Sequence, residues 1–164
     1  MKIAVANDHA GYALKVVIAA HLRDQGHEVE DLGAHGDSPV DYPPFCAACA
    51  REVVRGHVDL GIVIGGSGQG EQMSANKVHG ARAALCHDEY TARLARQHND
   101  ANVLAMGARI LAPELACDVV DVFVSAAFEG GRHKARLDEI RVIEAEECKA
   151  WGAAHPELFG PGGR

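Results

Sequence analysis

The sequence predicts an α/β protein built on a doubly wound parallel sheet of five strands with helices on both faces. Three observations carry that expectation. Five short apolar runs recur along the 164 residues, each of strand length. They read as near-continuous apolar stretches rather than strict alternations, which is the pattern of strands buried on both faces. Between them lie longer segments with apolar residues at helical spacing, closed by glycine or opened by proline.

Lys2 to Ala6 is the first strand. Tyr12 to Gln25 follows as a helix with Leu14, Val17, Ile18 and Leu22 at helical spacing, and Gly26 stops it. Glu28 to Leu32 is the second strand. Asp41-Tyr42-Pro43-Pro44 then opens a helix through Arg55, since a first turn tolerates proline. Leu60 to Ile64 is the third strand, and a glycine-rich stretch, GGSGQGEQMSANK at 65–77, leads from it into a further helix. Ala81 to Cys86 is the fourth strand, followed by a polar-faced helix from Asp88 to His98. Asn102 to Met106 is the fifth, followed by a helix from Pro113 to Phe128 with Leu115, Val119, Val122 and Phe123 on one face. A charged helix from Lys134 to Trp151 ends the pattern, giving one expected domain over 1–150 and a loose tail over 151–164. In that last helix Leu137, Ile140, Val142 and Ile143 stand among charges. Such a face suits packing against another subunit, so a homodimer is expected, with a tetramer left open.

Bulk properties narrow the function classes. A formal charge of −7 argues against nucleic acid as a partner, because phosphate-backbone binding needs concentrated positive charge. The chain has no apolar stretch near the length of a membrane span, and MKIAVANDHAG lacks the features of a secretory signal, so no membrane partner and a cytoplasmic location are expected. Cys46, Cys49, Cys86, Cys117 and Cys148 are spread over apolar segments. Cys46-x-x-Cys49 lacks a second paired motif, and the five read as reduced cysteines on helix faces.

The glycine-rich stretch excludes two familiar phosphate sites. A Walker A loop needs Lys and then Ser or Thr after its last glycine, whereas Gly70 is followed by Glu71 and Gln72. A dinucleotide fingerprint counted from Gly66 and Gly68 requires a third glycine where Glu71 stands. What remains is a strand, a turn whose N–H groups can converge on an anion, and a helix start with a carboxylate suited to accepting a proton. In open parallel sheets a ligand binds beyond the carboxyl ends of the strands, where strand order reverses. For the flavodoxin-like, Rossmann-like order 2-1-3-4-5 that point lies between the first and third strands. The loops there are Asn7-Asp8-His9-Ala10-Gly11 and the glycine-rich stretch.

The chain resembles the type B ribose-5-phosphate isomerases, a family that also includes isomerases of allose, galactose and tetrose phosphates. The resemblance spans about residues 1 to 147. It is carried by Asp8-His9-Ala10-Gly11, Asp41-Tyr42-Pro43, Gly65-Gly66-Ser67-Gly68 through Ser74-Ala75-Asn76-Lys77, His98-Asn99-Asp100-Ala101-Asn102, and Gly131-Arg132-His133 with Arg136. Many members place a catalytic cysteine where this chain has Gly65. Another branch has glycine there and a glutamate six places on, which is Glu71 here, so the resemblance moves the base to Glu71 and leaves Cys86 a remote candidate.

The resemblance implies interconversion of D-ribose 5-phosphate and D-ribulose 5-phosphate through a cis-enediolate, with no metal and no cofactor. The alternatives are the same chemistry on another phosphorylated sugar, or a sugar-phosphate-binding module without catalysis. Glu71 transfers the proton between C2 and C1, and Gly66, Ser67, Gly68, Gln69 and Gly70 form an anion hole for the enediolate, with the Ser67 hydroxyl assisting. At a helix N-terminus the ionised form of Glu71 is favoured, which predicts a weak base charged at neutral pH. By resemblance His98 opens the sugar ring, Asp8 assists or binds hydroxyls, and His9, Arg109, Arg132 and Arg136 bind phosphate. Tyr42 walls the sugar and Asn99 bonds a hydroxyl. Read alone, His98 is more often a helix C-cap and each single arginine more often a solvated surface charge; a tyrosine beside prolines such as Tyr42 is often a packed loop residue, and Asn99 can merely cap a turn. The helix carrying His98 and Asn99 runs back from the carboxyl end of the fourth strand. Both residues are therefore expected at the opposite edge from their own glycine loop, serving a neighbouring subunit's site.

Overall fold

The computed structural model describes residues 1–155. Five strands, β1 (Lys2–Asn7), β2 (Glu28–Asp31), β3 (Leu60–Gly65), β4 (Ala83–Leu85) and β5 (Val103–Gly107), form one parallel sheet. The helices are α1 (Tyr12–Asp24), α2 (Tyr42–Val54), α3 (Gln69–Ala75), α4 (Glu89–Asn99), α5 (Pro113–Ser125) and α6 (Arg132–Ala154). The chain divides into two compact units, one from Met1 to Glu129 and one beginning at Gly130, which carries α6. α6 continues through Ala154, so the expected tail begins in helix; its residues 156–164 lie outside the described residues. No helix among the described residues is long and apolar enough to cross a membrane.

The period of two along the strands divides the core. Ile3, Val5, Ile62, Ile64, Leu104 and Met106 face one side and bury α1 and α5 residues such as Leu14, Ile18, Leu22, Val119 and Phe123. Ala4, Ala6, Val63, Val103 and Ala105 face the other and meet Cys46, Cys49 and Ala50 of α2 and Ala75 of α3. That second face is made of small residues, so α2 lies close to the sheet: a Cβ on Gly61 would fall 2.8 Å from Cys49 Sγ.

The strand order is β2-β1-β3-β5-β4 rather than 2-1-3-4-5. The fifth strand is buried at every position and takes the interior place, while the three-residue β4 is partly exposed and takes the edge. Asn76, at the end of α3, finishes that edge: its amide accepts from Ala83 N at 2.8 Å and donates to Ala83 O at 2.9 Å, as a neighbouring strand would. The correction leaves β1 and β3 adjacent, with Asn7 opposite Ile64, so the expected switch point stands.

Candidate active site

Beyond the carboxyl ends of β1 and β3 opens a cavity of about 590 Å³. Asp8 and His9 come from the turn after β1, Tyr42 from the start of α2, Gly66, Ser67, Gly70 and Glu71 from the glycine-rich turn, and Arg109 from the turn after β5. Val40, Asp41 and Ile110 also line it; of these only Asp41 belongs to a motif of the sequence, Asp41-Tyr42-Pro43.

The glycine-rich turn is shaped by what packs on it. Gly68 has φ of 79°, a conformation that favours glycine, and a Cβ there would fall 2.8 Å from the Met106 carbonyl carbon. Gly65 has no Cβ because the Glu71 carboxylate fills that space, its Oε1 and Cδ seated where a side chain on residue 65 would begin. Gly66 lies beneath the Arg109 guanidinium, whose atoms stand 3.3 to 3.5 Å from the position of a Cβ. Gly70 lies against the Tyr42 ring, with Cζ and Oη 2.5 Å from that position. At Gly65, Gly66 and Gly70 the missing side chain is thus replaced by a functional group from elsewhere in the chain.

Glu71 is only 4% exposed. Burial pushes its carboxyl above the ordinary value and the nearby Asp8 charge adds to the rise, while the N–H groups of Glu71 itself and Gly68 work the other way. The expectation that the helix start keeps Glu71 a weak base is therefore corrected: α3 is seven residues long, and desolvation outweighs what its first turn supplies. Asp8, also buried, accepts from Gly11 N at 3.0 Å. His9 Nδ1 lies 4.0 Å from Asp8 Oδ2 and 3.3 Å from both the N and O of Val40.

Of the five expected anion-hole residues, Gly66, Ser67 and Gly70 line the cavity, while Gly68 and Gln69 do not. The Gly68 N–H is directed at the Glu71 carboxylate, and Gln69 N bonds Ser67 Oγ at 3.4 Å. His98 and Asn99 close α4 at the other end of the sheet. Asn99 O accepts from Arg82, just ahead of β4, and Asp100 pairs with the same arginine at 2.8 Å. His98 Nε2 stands 3.8 Å from Glu129 Oε2. Both residues thus lie at the amino edge of the strands, away from their own chain's cavity. Arg132 and Arg136 belong to the first turns of α6, in the second unit. The three buried thiols are poor nucleophiles by environment: burial pushes Cys49 up to about 12, Cys86 up to about 11, and Cys46 higher still. Cys86 does not line the cavity.

Fold and site define a flavodoxin-like α/β protein with a carboxylate-bearing crevice at its switch point, one wall carrying an arginine. Residues 3–140 match the Ribose/Galactose Isomerase family, and the chain belongs to that family. The ribose-5-phosphate isomerase B of Escherichia coli K12 is 47% identical over 143 residues, 87% of this chain and 96% of its own. The solved structure of the Clostridium thermocellum ribose-5-phosphate isomerase B superposes with a TM-score of 0.89 at 49% identity, covering 90% of this chain and 99% of that one. The Mycoplasma genitalium ribose-5-phosphate isomerase B, solved with bound ribulose-5-phosphate, gives 0.85 at 45% identity over 88% and 97%.

Proposed function

We propose that this chain interconverts D-ribose 5-phosphate and D-ribulose 5-phosphate, with Glu71 as the base that carries the proton between C2 and C1. The observation that carries the reading is the Glu71 carboxylate, buried in the slot left by Gly65 and facing a cavity that also holds Asp8, Ser67 and Arg109. The names of the E. coli and C. thermocellum relatives and the ribulose-5-phosphate bound in the M. genitalium structure support the choice of sugar.

In the open-chain aldose Glu71 takes the proton from C2, and the electrons of the C–H bond form the C1–C2 double bond as the carbonyl oxygen on C1 gains negative charge. N–H groups of Gly66, Ser67 and Gly70 hold that charge. Protonation at C1 by the Glu71 carboxyl, with the O2 hydroxyl proton passing to O1, gives the ketose. A base buried so that its pKa lies above the ordinary carboxylate value is stronger than an exposed one, and general-base catalysis contributes about 10²–10⁴-fold. Arg109 and His9 bind the phosphate and Tyr42 walls the sugar, while Arg132 and Arg136, in the second unit, are phosphate ligands by the family resemblance alone. The route uses no metal and no cofactor.

Ring opening falls to His98, with Asn99 on a sugar hydroxyl and Asp8 assisting. Because both α4 residues sit at the amino edge of their own sheet, they act in the cavity of a second copy, and the enzyme is a homodimer with shared sites. The unpaired cysteines suit a reducing, cytoplasmic setting. Co-expression of Glu71→Gln and His98→Ala subunits tests this reading: each variant alone is inactive, while the mixture recovers about a quarter of the wild-type rate because half its dimers carry one intact site. No recovery in isolated mixed dimers would contradict the shared site.

A further inference from the structure

We infer that Lys15 is a positioning residue for this reaction, holding from behind the wall of the cavity on which Asp8 sits; this rests on the role proposed for Asp8. Lys15 is 2% exposed. Its ammonium donates to Asp31 Oδ1 at 3.0 Å, to Asp31 Oδ2 at 2.8 Å and to Ala34 O at 2.8 Å, which uses all three of its protons. Asp31 Oδ1 also accepts from Gly33 N at 3.0 Å. One buried cation from α1 therefore fixes the end of β2 and the turn that follows.

That turn is the support of β1's last residue. Ala34 N donates to Asn7 O at 3.1 Å, and Gly33 lies so near Asn7 that a Cβ on it would fall 2.7 Å from Asn7 N and 2.8 Å from Asn7 Cγ. Asn7, fully buried, donates from Nδ2 to Asp8 O at 2.6 Å. The path from Lys15 to Asp8 is thus a run of short contacts. A lysine buried only for stability needs one well-placed carboxylate; this one also holds a backbone carbonyl of the turn that packs against Asn7. Loss of the ammonium lets the turn and Asp8 relax together, and a displacement of about 1 Å in a catalytic group costs on the order of 100-fold.

The test is the double variant Lys15→Met/Asp31→Asn, which removes the buried charge and its partner's charge together while an amide oxygen at position 31 can still accept from Gly33 N. Neutralising both members of a buried pair spares the fold the cost of an unpaired charge. The expected result is a melting temperature near that of wild type with kcat for ribose 5-phosphate down 10- to 100-fold and KM changed by less than about threefold. Wild-type kcat in the folded double variant, or a loss confined to KM, overturns the inference. If the double variant fails to fold, Lys15→Gln/Asp31→Asn, which also leaves no unpaired charge, decides: an undiminished kcat overturns the inference and a tenfold loss at unchanged KM supports it. Wild-type protein inert on ribose 5-phosphate would instead refute the proposed reaction, so the two failures are distinguishable.

Discussion

Substituting Gly65 by alanine adds one methyl group at the place where the Glu71 carboxylate rests. Gly65 is not among the positive-φ glycines, so the backbone accepts alanine, and the three nearest atoms it would meet are all of the Glu71 carboxylate, Oε1, Cδ and Oε2. The carboxylate has somewhere to go, since it borders a cavity of about 590 Å³. It therefore swings out, and the protein keeps its fold rather than bearing the full overpacking cost of about 1–3 kcal/mol. The displaced carboxylate leaves the Gly68 N–H and stands away from C2. The expected fall in kcat is about 10²–10⁴, the worth of a general base, or about 2.7–5.4 kcal/mol of barrier. Steady-state kinetics on Gly65→Ala, Glu71→Ala and the double variant close a thermodynamic cycle. With Glu71 already truncated, the three atoms nearest the added methyl are gone, and the second substitution costs less than about 0.5 kcal/mol. A Gly65→Ala enzyme with kcat within threefold of wild type, or losses that add independently, would refute the placement of the base over residue 65.

Two further predictions follow from ionisation. Because Glu71 titrates above its ordinary value of 4.5, kcat/KM falls as pH drops through that raised pKa, and the acid limb lies above pH 4.5. The same shift destabilises the fold at neutral pH: the folded state holds its proton longer than the unfolded one, so stability is lost as pH rises through the window between the two pKa values. Glu71→Gln therefore melts above wild type at pH 7, and the gain vanishes near pH 4.5; a gain that grows toward acid would contradict the assignment. Iodoacetamide at pH 7.5 modifies the exposed Cys148 first and leaves activity intact, as mass spectrometry and assay of the same sample would show. Inactivation that follows modification of Cys46 or Cys86 would return the base to a thiol.

The parts of this account differ in how far they can be read from sequence, for physical reasons. β1, α1 and the glycine-rich turn follow from local pattern, since apolar runs, helical spacing and glycines are properties of short segments. Strand order is not local: β4 and β5 exchanged places because burial on both faces favours the more apolar strand, a comparison made only when the sheet assembles. The place of His98 followed from topology alone, because a helix after a parallel strand must return to the amino edge. The raised pKa of Glu71 is not legible in sequence, because helix-start electrostatics are visible there whereas the slot over Gly65 that buries the carboxylate exists only once β3 and α3 pack. Lys15 was invisible for a similar reason. In an amphipathic helix a lysine reads as solvated, and only the fold of β2 shows what covers it.

The most direct test of the central claim is turnover of ribose 5-phosphate to ribulose 5-phosphate by purified protein in the presence of a chelator, measured side by side for wild type and Glu71→Gln. The account predicts undiminished turnover by wild type with the chelator and a loss of about 10²–10⁴-fold in the folded variant. Wild-type turnover in Glu71→Gln, or a wild-type enzyme silenced by the chelator, would contradict it.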